Sequence, residues 1–468
     1  MSWKWPKLTL KDEPSPMQNV AFRRQKQFNW DALRGWALGL FKGLTDYSDS
    51  LDAKMTDFDN RFDDQMSAAT DGDKDLSEVV DARRPDGGSA YATLGKRLDA
   101  YEPVLRWYNN PGTNSWSDIA WDIDGGIKPY FMTALNDIRQ RLTQGLFTIV
   151  YGTDHHYETD SDYAPFYNDG LRHELNMLSL SDISDVILFG GDQCDQGIQT
   201  KDHVYKQEDD FATTALTYSN TDTFLLKGNH DSGYHLPQQM LTPDNVLIDT
   251  DFANLYHYGT FSETRRVPSA NYFYKDYNDV RLIGLDSYDL PMTTDNNGEL
   301  LFNRFTTSGY SQDQLNWLAN EALQTDKQCI IFAHNPINGI FGSFDNSAYL
   351  GSAVLQQILE AFVAGQTGTA TSSDSIPLNV EYSFTKAGTL IGFFNGHLHT
   401  DRLATVNNIN YVSTVCSFTG LDNDEQDARR ADYGTDKEDA FDVIQIDTVN
   451  RNVSLHRFGA GKDRSFTY

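Results

Sequence analysis

Cysteine is scarce: three residues in 468, at Cys194, Cys329 and Cys416. Spaced so widely, they form neither a disulfide framework nor a thiolate metal site, and their apolar or strand-like surroundings suit core positions. Long hydrophobic runs are missing too. A membrane helix needs about 20 consecutive apolar residues, whereas the apolar stretch Trp36–Leu44 is short and carries Lys42 and two glycines. The opening residues, MSWKWPKLTLKDEPSPMQN, hold no apolar segment of the secretory kind. Neither a membrane span nor a signal peptide is expected. Positive charge is the third shortage. Against 67 acidic residues stand 38 Lys and Arg, a net charge of −29, with no basic run. Such a surface repels nucleic-acid phosphates, so no nucleic-acid partner is expected. What is abundant excludes disorder: 24 Tyr, 27 Phe and 8 Trp are far more aromatic residues than an unfolded chain carries, and the length allows two or three domains.

Three zones separate along the chain. In residues 1–70, Leu33, Leu40, Leu44, Tyr47, Leu51, Met55, Phe58 and Phe62 recur at spacings of three, four or seven. That stripe predicts a helical region, either a self-associating coiled coil or an intramolecular helix. Residues 71–145 read as a connector with turn signals at Asp71-Gly72-Asp73, Pro85-Asp86-Gly87-Gly88 and Asn109-Asn110-Pro111-Gly112. Within it, Phe131, Leu135, Ile138 and Leu142 predict a short amphipathic helix. Residues 146–468 alternate apolar strand-like runs with helical patterns, which predicts an α/β domain of mixed sheets in layers with helices.

Five motifs fall at or just past the ends of predicted strands: Asp154-His155-His156, Gly191-Asp192-Gln193-Cys194-Asp195, Gly228-Asn229-His230-Asp231, Ala333-His334-Asn335 and Gly396-His397-Leu398-His399. Strand ends are where α/β folds build sites. Six of the eleven histidines lie in these motifs. Imidazole and carboxylate together bind Mn, Fe, Zn or Ni, and the lack of thiolate argues against a softer ion. His155 either faces a substrate cleft or packs behind its strand.

In order and type, these motifs resemble the D-x-H, G-D-x-x-D, G-N-H-D/E, His and G-H-x-H pattern of the calcineurin-like metallophosphoesterase superfamily, over about residues 146–460. The resemblance implies a sandwich of mixed sheets flanked by helices and two divalent cations. Asp154, His156 and His399 would hold one, Asn229, His334 and His397 the other, and Asp192 would bridge them. His230, oriented by Asp231, would give a proton to the leaving group or contact the phosphate, and Asp195 would support the site by hydrogen bonding. Two such cations would clamp the attacking and leaving oxygens of a phosphate ester and supply hydroxide near neutral pH. Many phosphoprotein phosphatases of the superfamily carry Arg after the second Asp of G-D-x-x-D, where this chain has Gln196. Arg265 and Arg266, in an aromatic segment between motifs, are candidate substrate contacts.

Two flanking segments resemble proteins of phages that infect Gram-positive bacteria. Ser77-Glu78-Val79-Val80-Asp81-Ala82-Arg83 with Tyr91–Leu98 is similar to a connector of tail and baseplate proteins, and Arg457–Arg464 to the end of phage-associated metallophosphoesterases. This resemblance implies attachment to virion tail or baseplate proteins through the N-terminal helix, as a homo-oligomer such as a trimer, and location on the virion, outside the cell after lysis. A host-envelope phosphodiester polymer such as teichoic acid would then be the substrate. Two alternatives stand beside it: a cyclic-nucleotide phosphodiesterase or nuclease of the same superfamily, and a structural or receptor-binding tail protein without catalysis.

Overall fold

A computed structural model describes residues 127–158, 170–195, 200–233, 241–256, 265–266, 270–342, 348–419 and 429–468. The expected helical region 1–70 and the connector up to residue 126 lie outside these, as does Gln196. Pro129 opens the first helix, at a position where its missing N–H costs nothing. That helix, α1 (Pro129–Arg141), buries Phe131, Leu135 and Ile138, three of the four residues of the expected stripe. It packs on the same compact unit as everything after it, Ile127–Tyr468. Then follow β1 (Phe147–Gly152), α2 (Gly170–Leu178), β2 (Val186–Phe189), α3 (Lys201–Tyr218), β3 (Asp222–Leu225) and α4 (Asp249–Leu255). A two-residue strand β4 (Arg265–Arg266) precedes the hairpin of β5 (Phe273–Tyr277) and β6 (Val280–Gly284). Its turn is Asn278-Asp279, where Asn278 takes the positive φ that a tight hairpin turn requires.

The chain continues through β7 (Thr307–Gly309), α5 (Gln312–Trp317) with a wider helical turn at Leu318–Ala322, β8 (Gln328–Ala333), β9 (Ala348–Leu350) and α6 (Ser352–Ala364). The last third is strand: β10 (Thr367–Ser372), β11 (Leu378–Ser383), β12 (Thr389–Asn395), β13 (Arg402–Val406), β14 (Ile409–Ser413), β15 (Ala440–Asp447), β16 (Asn452–Gly459) and β17 (Arg464–Thr467).

Two large sheets result. One has the order β17-β16-β15-β1-β2-β3, the other β13-β14-β12-β8-β6-β5-β4. In the first, β1, β2 and β3 run parallel at one edge and β15, β16 and β17 are antiparallel beside them; in the second, β14, β12, β8 and β6 run parallel with antiparallel strands on either side. The sheets face one another across a single core that includes Ile149, Tyr151, Leu188, Leu282, Phe332 and Phe394. Alternation sends Phe189 the other way, against Phe211 of α3. On that outer face Phe131 meets Phe458, which stacks on Phe441 at 4.4 Å. Each such buried Phe contributes about 1.5–3 kcal/mol. The outer face of the other sheet is covered by α5, its wide turn and α6. This is the expected α/β sandwich of mixed sheets flanked by helices. Among the described residues no helix is long and apolar enough to cross a membrane.

A buried polar knot joins α1 and α2 to the segment before β15. Glu438 accepts the Tyr130 hydroxyl at 2.8 Å and the Gly434 N–H at 2.6 Å, and pairs with Lys128 at 3.1 Å and His173 at 3.4 Å. Burial pushes its carboxyl up, but the His173 hydrogen bond and charge, with the Gly434 and Tyr130 bonds, outweigh it and hold the group at about 2. A carboxyl depressed below its unfolded value of 4.5 stabilises the fold fully above that pH, and the contribution is lost as pH falls toward the folded value. Glu438→Gln is therefore expected to lower the unfolding free energy at pH 7 by about 2 kcal/mol. Urea unfolding at descending pH should show wild type and variant converging as the wild-type carboxyl protonates. A constant gap down the acid limb would contradict this account.

Candidate metal centre

All five motifs lie past the carboxyl ends of parallel strands, three from one sheet and two from the other. β1 leads to Asp154 and His156, β2 to Asp192, and β3 to Asn229 and His230. Across the sandwich β8 leads to His334 and β12 to His397 and His399. The turns are sharp. Nine non-glycine residues among those described have positive φ, and five of them are Asp154, His156, Asp192, His397 and His399. Each such residue costs roughly 1–3 kcal/mol, and that strain persists only where surrounding contacts fix it. Close packing adds a further demand at Gly228, where a Cβ would lie 2.0 Å from Asp192 Oδ1.

The side chains converge. Ligating atoms of Asp154, His156, Asp192 and His399 all lie within 4.8 Å of one another, as do those of Asp192, His334 and His397. Asp192 belongs to both groups. His399 Nε2 is 3.2 Å from Asp154 Oδ1 and 3.2 Å from His156 Nε2. Asn229 Oδ1 joins the second group, 2.9 Å from His397 Nδ1 and 3.2 Å from His334 Nε2. His334 Nδ1 sits 2.9 Å from the Gly190 carbonyl, which can only accept. That nitrogen therefore carries the proton, and the lone pair of Nε2 turns toward Asp192 Oδ2 at 3.2 Å and Asn229 Oδ1.

Lone pairs facing lone pairs in a buried space repel unless a cation or proton sits among them. Burial works against charging His334, but Asp192 and Asp154 overcome it and raise the imidazole to about 9. Burial likewise pushes Asp154 and Asp192 up, yet the neighbouring histidines hold both below the usual carboxylate range. The set of oxygen and imidazole ligating atoms, without thiolate, fits a divalent cation of the Mn, Fe, Zn or Ni kind.

His230 stands beside this cluster, its ring 4.6 Å from that of His156 and edge-on to Phe305 at 5.0 Å. The carboxylate on its Nδ1 is that of Asp195, at 2.6 Å. This corrects the expectation that Asp231 orients His230. Asp231 is buried and accepts the backbone N–H groups of Gly228, Asp192 and Cys194, so it ties two site loops together through their main chains. Its two oxygens are taken up by these three amides from the two loops. Burial opposes the charge on His230, but Asp192 and Asp195 raise it to about 9.

Of the two readings of His155, the structure bears out packing behind the strand. It does not face the cleft: the side chain is buried behind β1, 5.5 Å from Phe189 and 5.2 Å from Phe211. Burial, with the charge of His173, drives it down to about 3. Its neighbour on the chain points the other way because Asp154 and His156 have left-handed backbones. The Arg265–Arg266 backbone pairs with β5 at the edge of the seven-stranded sheet, and their side chains lie outside the described residues.

Supporting residues carry no motif signal. Tyr288 donates its hydroxyl to Asn229 Oδ1 at 3.3 Å. Thr153 donates to Asp154 Oδ2 at 2.7 Å. The Ser417 and Phe418 N–H groups hold the Thr153 and Asp154 carbonyls at 2.9 and 3.1 Å. Lys227, just before the Asn229 turn, is fully buried between Asp249 and Asp286.

No curated protein matches the sequence. Among solved structures, a dimetal phosphatase from Danio rerio is 13% identical, with a TM-score of 0.44, covering 69% of this chain and 99% of that one. The phosphopantetheinyl hydrolase of Mycobacterium tuberculosis is 11% identical, with a TM-score of 0.33, over 58% of this chain and 90% of that one. The family described as calcineurin-like phosphoesterase matches residues 147–412, more than half of the chain and all five motifs. The chain belongs to the calcineurin-like phosphoesterase family, whose chemistry is the metal-dependent cleavage of phosphate esters.

Proposed function

We propose that this chain is a binuclear phosphoesterase that hydrolyses a phosphodiester. The observation that carries the reading is the membership of Asp192 in both groups of ligating atoms. Asp154, His156 and His399 would hold one divalent cation, Asn229, His334 and His397 the other, and Asp192 both. When bound, such a pair polarises the phosphoryl oxygens and lowers the pKa of water toward neutrality. The protein's own part is separate from that. Asp195 fixes the His230 ring through Nδ1, so the proton available to a leaving alkoxide is the one on Nε2. Phe305 packs edge-on against the same ring. The diester preference is supported by Gln196 standing where many phosphoprotein phosphatases have Arg. A site with one fixed cation fewer suits a singly charged diester better than a doubly charged monoester.

The phage resemblance of residues 77–98 and 457–464 supports a finer reading. The chain would sit on a virion tail or baseplate, and its substrate would be a host-envelope phosphodiester polymer such as teichoic acid.

The test uses the full chain, stripped with a chelator and resupplied with Mn, Zn, Ni or Fe. Chromogenic phosphomonoesters and phosphodiesters report turnover, and elemental analysis counts bound ions. Turnover should vanish on stripping and return with one of these ions, faster on the diester, and His397→Ala should bind one ion fewer. A stripped chain that takes up no ion and cleaves neither ester would falsify the reading.

A further inference from the structure

The C-terminal Arg457–Arg464 segment, singled out in the sequence for its resemblance alone, has a physical role in the fold. Arg457 is buried on β16. Its Nε and Nη2 donate to the two oxygens of Asp442 on β15, both at 3.0 Å, and Nη2 also reaches Asp401 Oδ1 at 2.6 Å. Arg464 opens β17 from the other side. Its Nη2 reaches Asp442 Oδ2 at 2.5 Å and Asp401 Oδ1 at 3.2 Å, and its Nη1 donates to the Ser413 carbonyl at 2.6 Å. Two arginines thus grip one buried and one half-buried carboxylate. The turn between them is cut to fit: Asp463 accepts the Arg457 N–H at 2.8 Å, and a Cβ on Gly461 would lie 2.8 Å from Asp401 Oδ2.

Asp401 stands two residues after His399. Its Oδ1 also accepts the Val415 N–H at 3.0 Å. Val415 belongs to the segment leaving β14, whose Ser417 and Phe418 N–H groups hold the carbonyls of Thr153 and Asp154. The same carboxylate therefore braces the loop carrying His399 and the shelf beneath Asp154. Both ligating residues have left-handed backbones, φ 51 and φ 55, which spring back unless the surroundings fix them. Of the other group, Asn229 and His334 stand on separate turns that leave β3 and β8, and only His397 shares the loop of His399, four residues before Asp401.

We propose that Arg457, Arg464 and Asp401 form a clamp that positions Asp154 and His399 for the cation they share with His156. They are positioning residues, since none touches that group directly. The inference rests on the binuclear reading above and concerns chiefly the Asp154–His156–His399 position, because the other draws only His397 from the braced loop.

The experiment is equilibrium dialysis of the full chain against graded Mn²⁺, with bound metal counted, for wild type, Arg464→Met, Arg464→Lys and Asp401→Asn. In Arg464→Met and Asp401→Asn the dissociation constant of one ion should rise about 10–100-fold, the cost of losing a support behind a metal ligand. The other ion, which draws only His397 from the braced loop, should weaken by a smaller factor, and Arg464→Lys should fall between. Within a His334→Ala background, where the Asp154–His156–His399 group alone is complete, the shift should persist. With saturating Mn²⁺, kcat should recover while KM for a chromogenic diester stays put. Unchanged dissociation constants for both ions in variants that still unfold cooperatively overturn the clamp and leave the binuclear reading standing. Equal loss of both ions also overturns it. A wild type that takes up no ion overturns the binuclear reading, and the clamp with it. If Arg464→Met does not fold, Asp401→Asn decides, because it keeps both arginines and the shape of the loop.

Discussion

His230→Asn is expected to lower kcat on a phosphodiester with a poor leaving group by about 10²–10⁴-fold, the usual contribution of a positioned general acid. Bound metal should stay unchanged. The imidazole is held as a proton donor must be, with Asp195 on Nδ1 at 2.6 Å and Phe305 edge-on to the ring. Asn cannot supply a labile proton, yet its amide can still bond Asp195, so the loop has no reason to move. The size of the loss should depend on the leaving group. A nitrophenolate departs without a proton and should lose little, whereas an alkoxide should lose most. Asp195→Asn should give a smaller loss with the same leaving-group dependence, because it removes the support and keeps the acid. Rates for a series of diesters, plotted against leaving-group pKa, decide the matter. Equal loss across the series would show that His230 binds the phosphate and donates no proton.

Patterns that depend on local chemistry were legible in the sequence, and those that depend on distant partners were not. Asp154, His156, Asp192, Asn229, His334, His397 and His399 are short-range motifs at strand ends, and the fold brings all seven together. The strands themselves were legible as brief apolar runs. Helix α3 gives no clean stripe in the sequence because its buried face, which includes Val204, Phe211, Ala215 and Tyr218, is interrupted by the equally buried Gln207 and Glu208. Glu208 is tolerated there because the Tyr256 hydroxyl meets it at 2.7 Å, a partner 48 residues away. Strands β16 and β17 hid for a similar reason, since their arginines face inward onto Asp442 and Asp401. His155 shows the opposite case. A histidine between two ligating residues is open to either reading from sequence, and the left-handed backbone on either side sends it to the apolar face behind the strand. Asp231 is the sequence neighbour of His230, whereas Asp195 lies 35 positions away; loop geometry brings the distant carboxylate to the ring.

Lys227→Met should destabilise the fold by about 3–5 kcal/mol, the cost of removing one partner from a buried ion pair, out of a total that is commonly only about 5–15 kcal/mol. Lys227 leaves β3 in one sheet and is fully buried, with Nζ 2.8 Å from Asp286 Oδ2 and 2.8 Å from Asp249 Oδ1. Asp286 follows β6 in the other sheet, so the pair bolts the two sheets together at the rim where the site lies. Burial disfavours charge on the lysine, but Asp249 and Asp286 more than offset this and raise its pKa. Met matches the stem and leaves Asp286, which is 3% exposed, without its cation. Arg304 holds Asp249 only at 3.5 Å and cannot substitute. The double variant Lys227→Met/Asp286→Asn should recover a large part of the loss, since removing both charges removes the stranded one. The bolt also adjoins the chemistry. Lys227 precedes Gly228-Asn229, and Asp286 accepts the N–H of Tyr288 at 2.8 Å, whose hydroxyl reaches Asn229. Restored stability in the double variant with metal uptake still impaired would mean that the charge pair sets Asn229 in place as well as joining the sheets. Recovery of both together would mean that Asn229 needs only the folded frame.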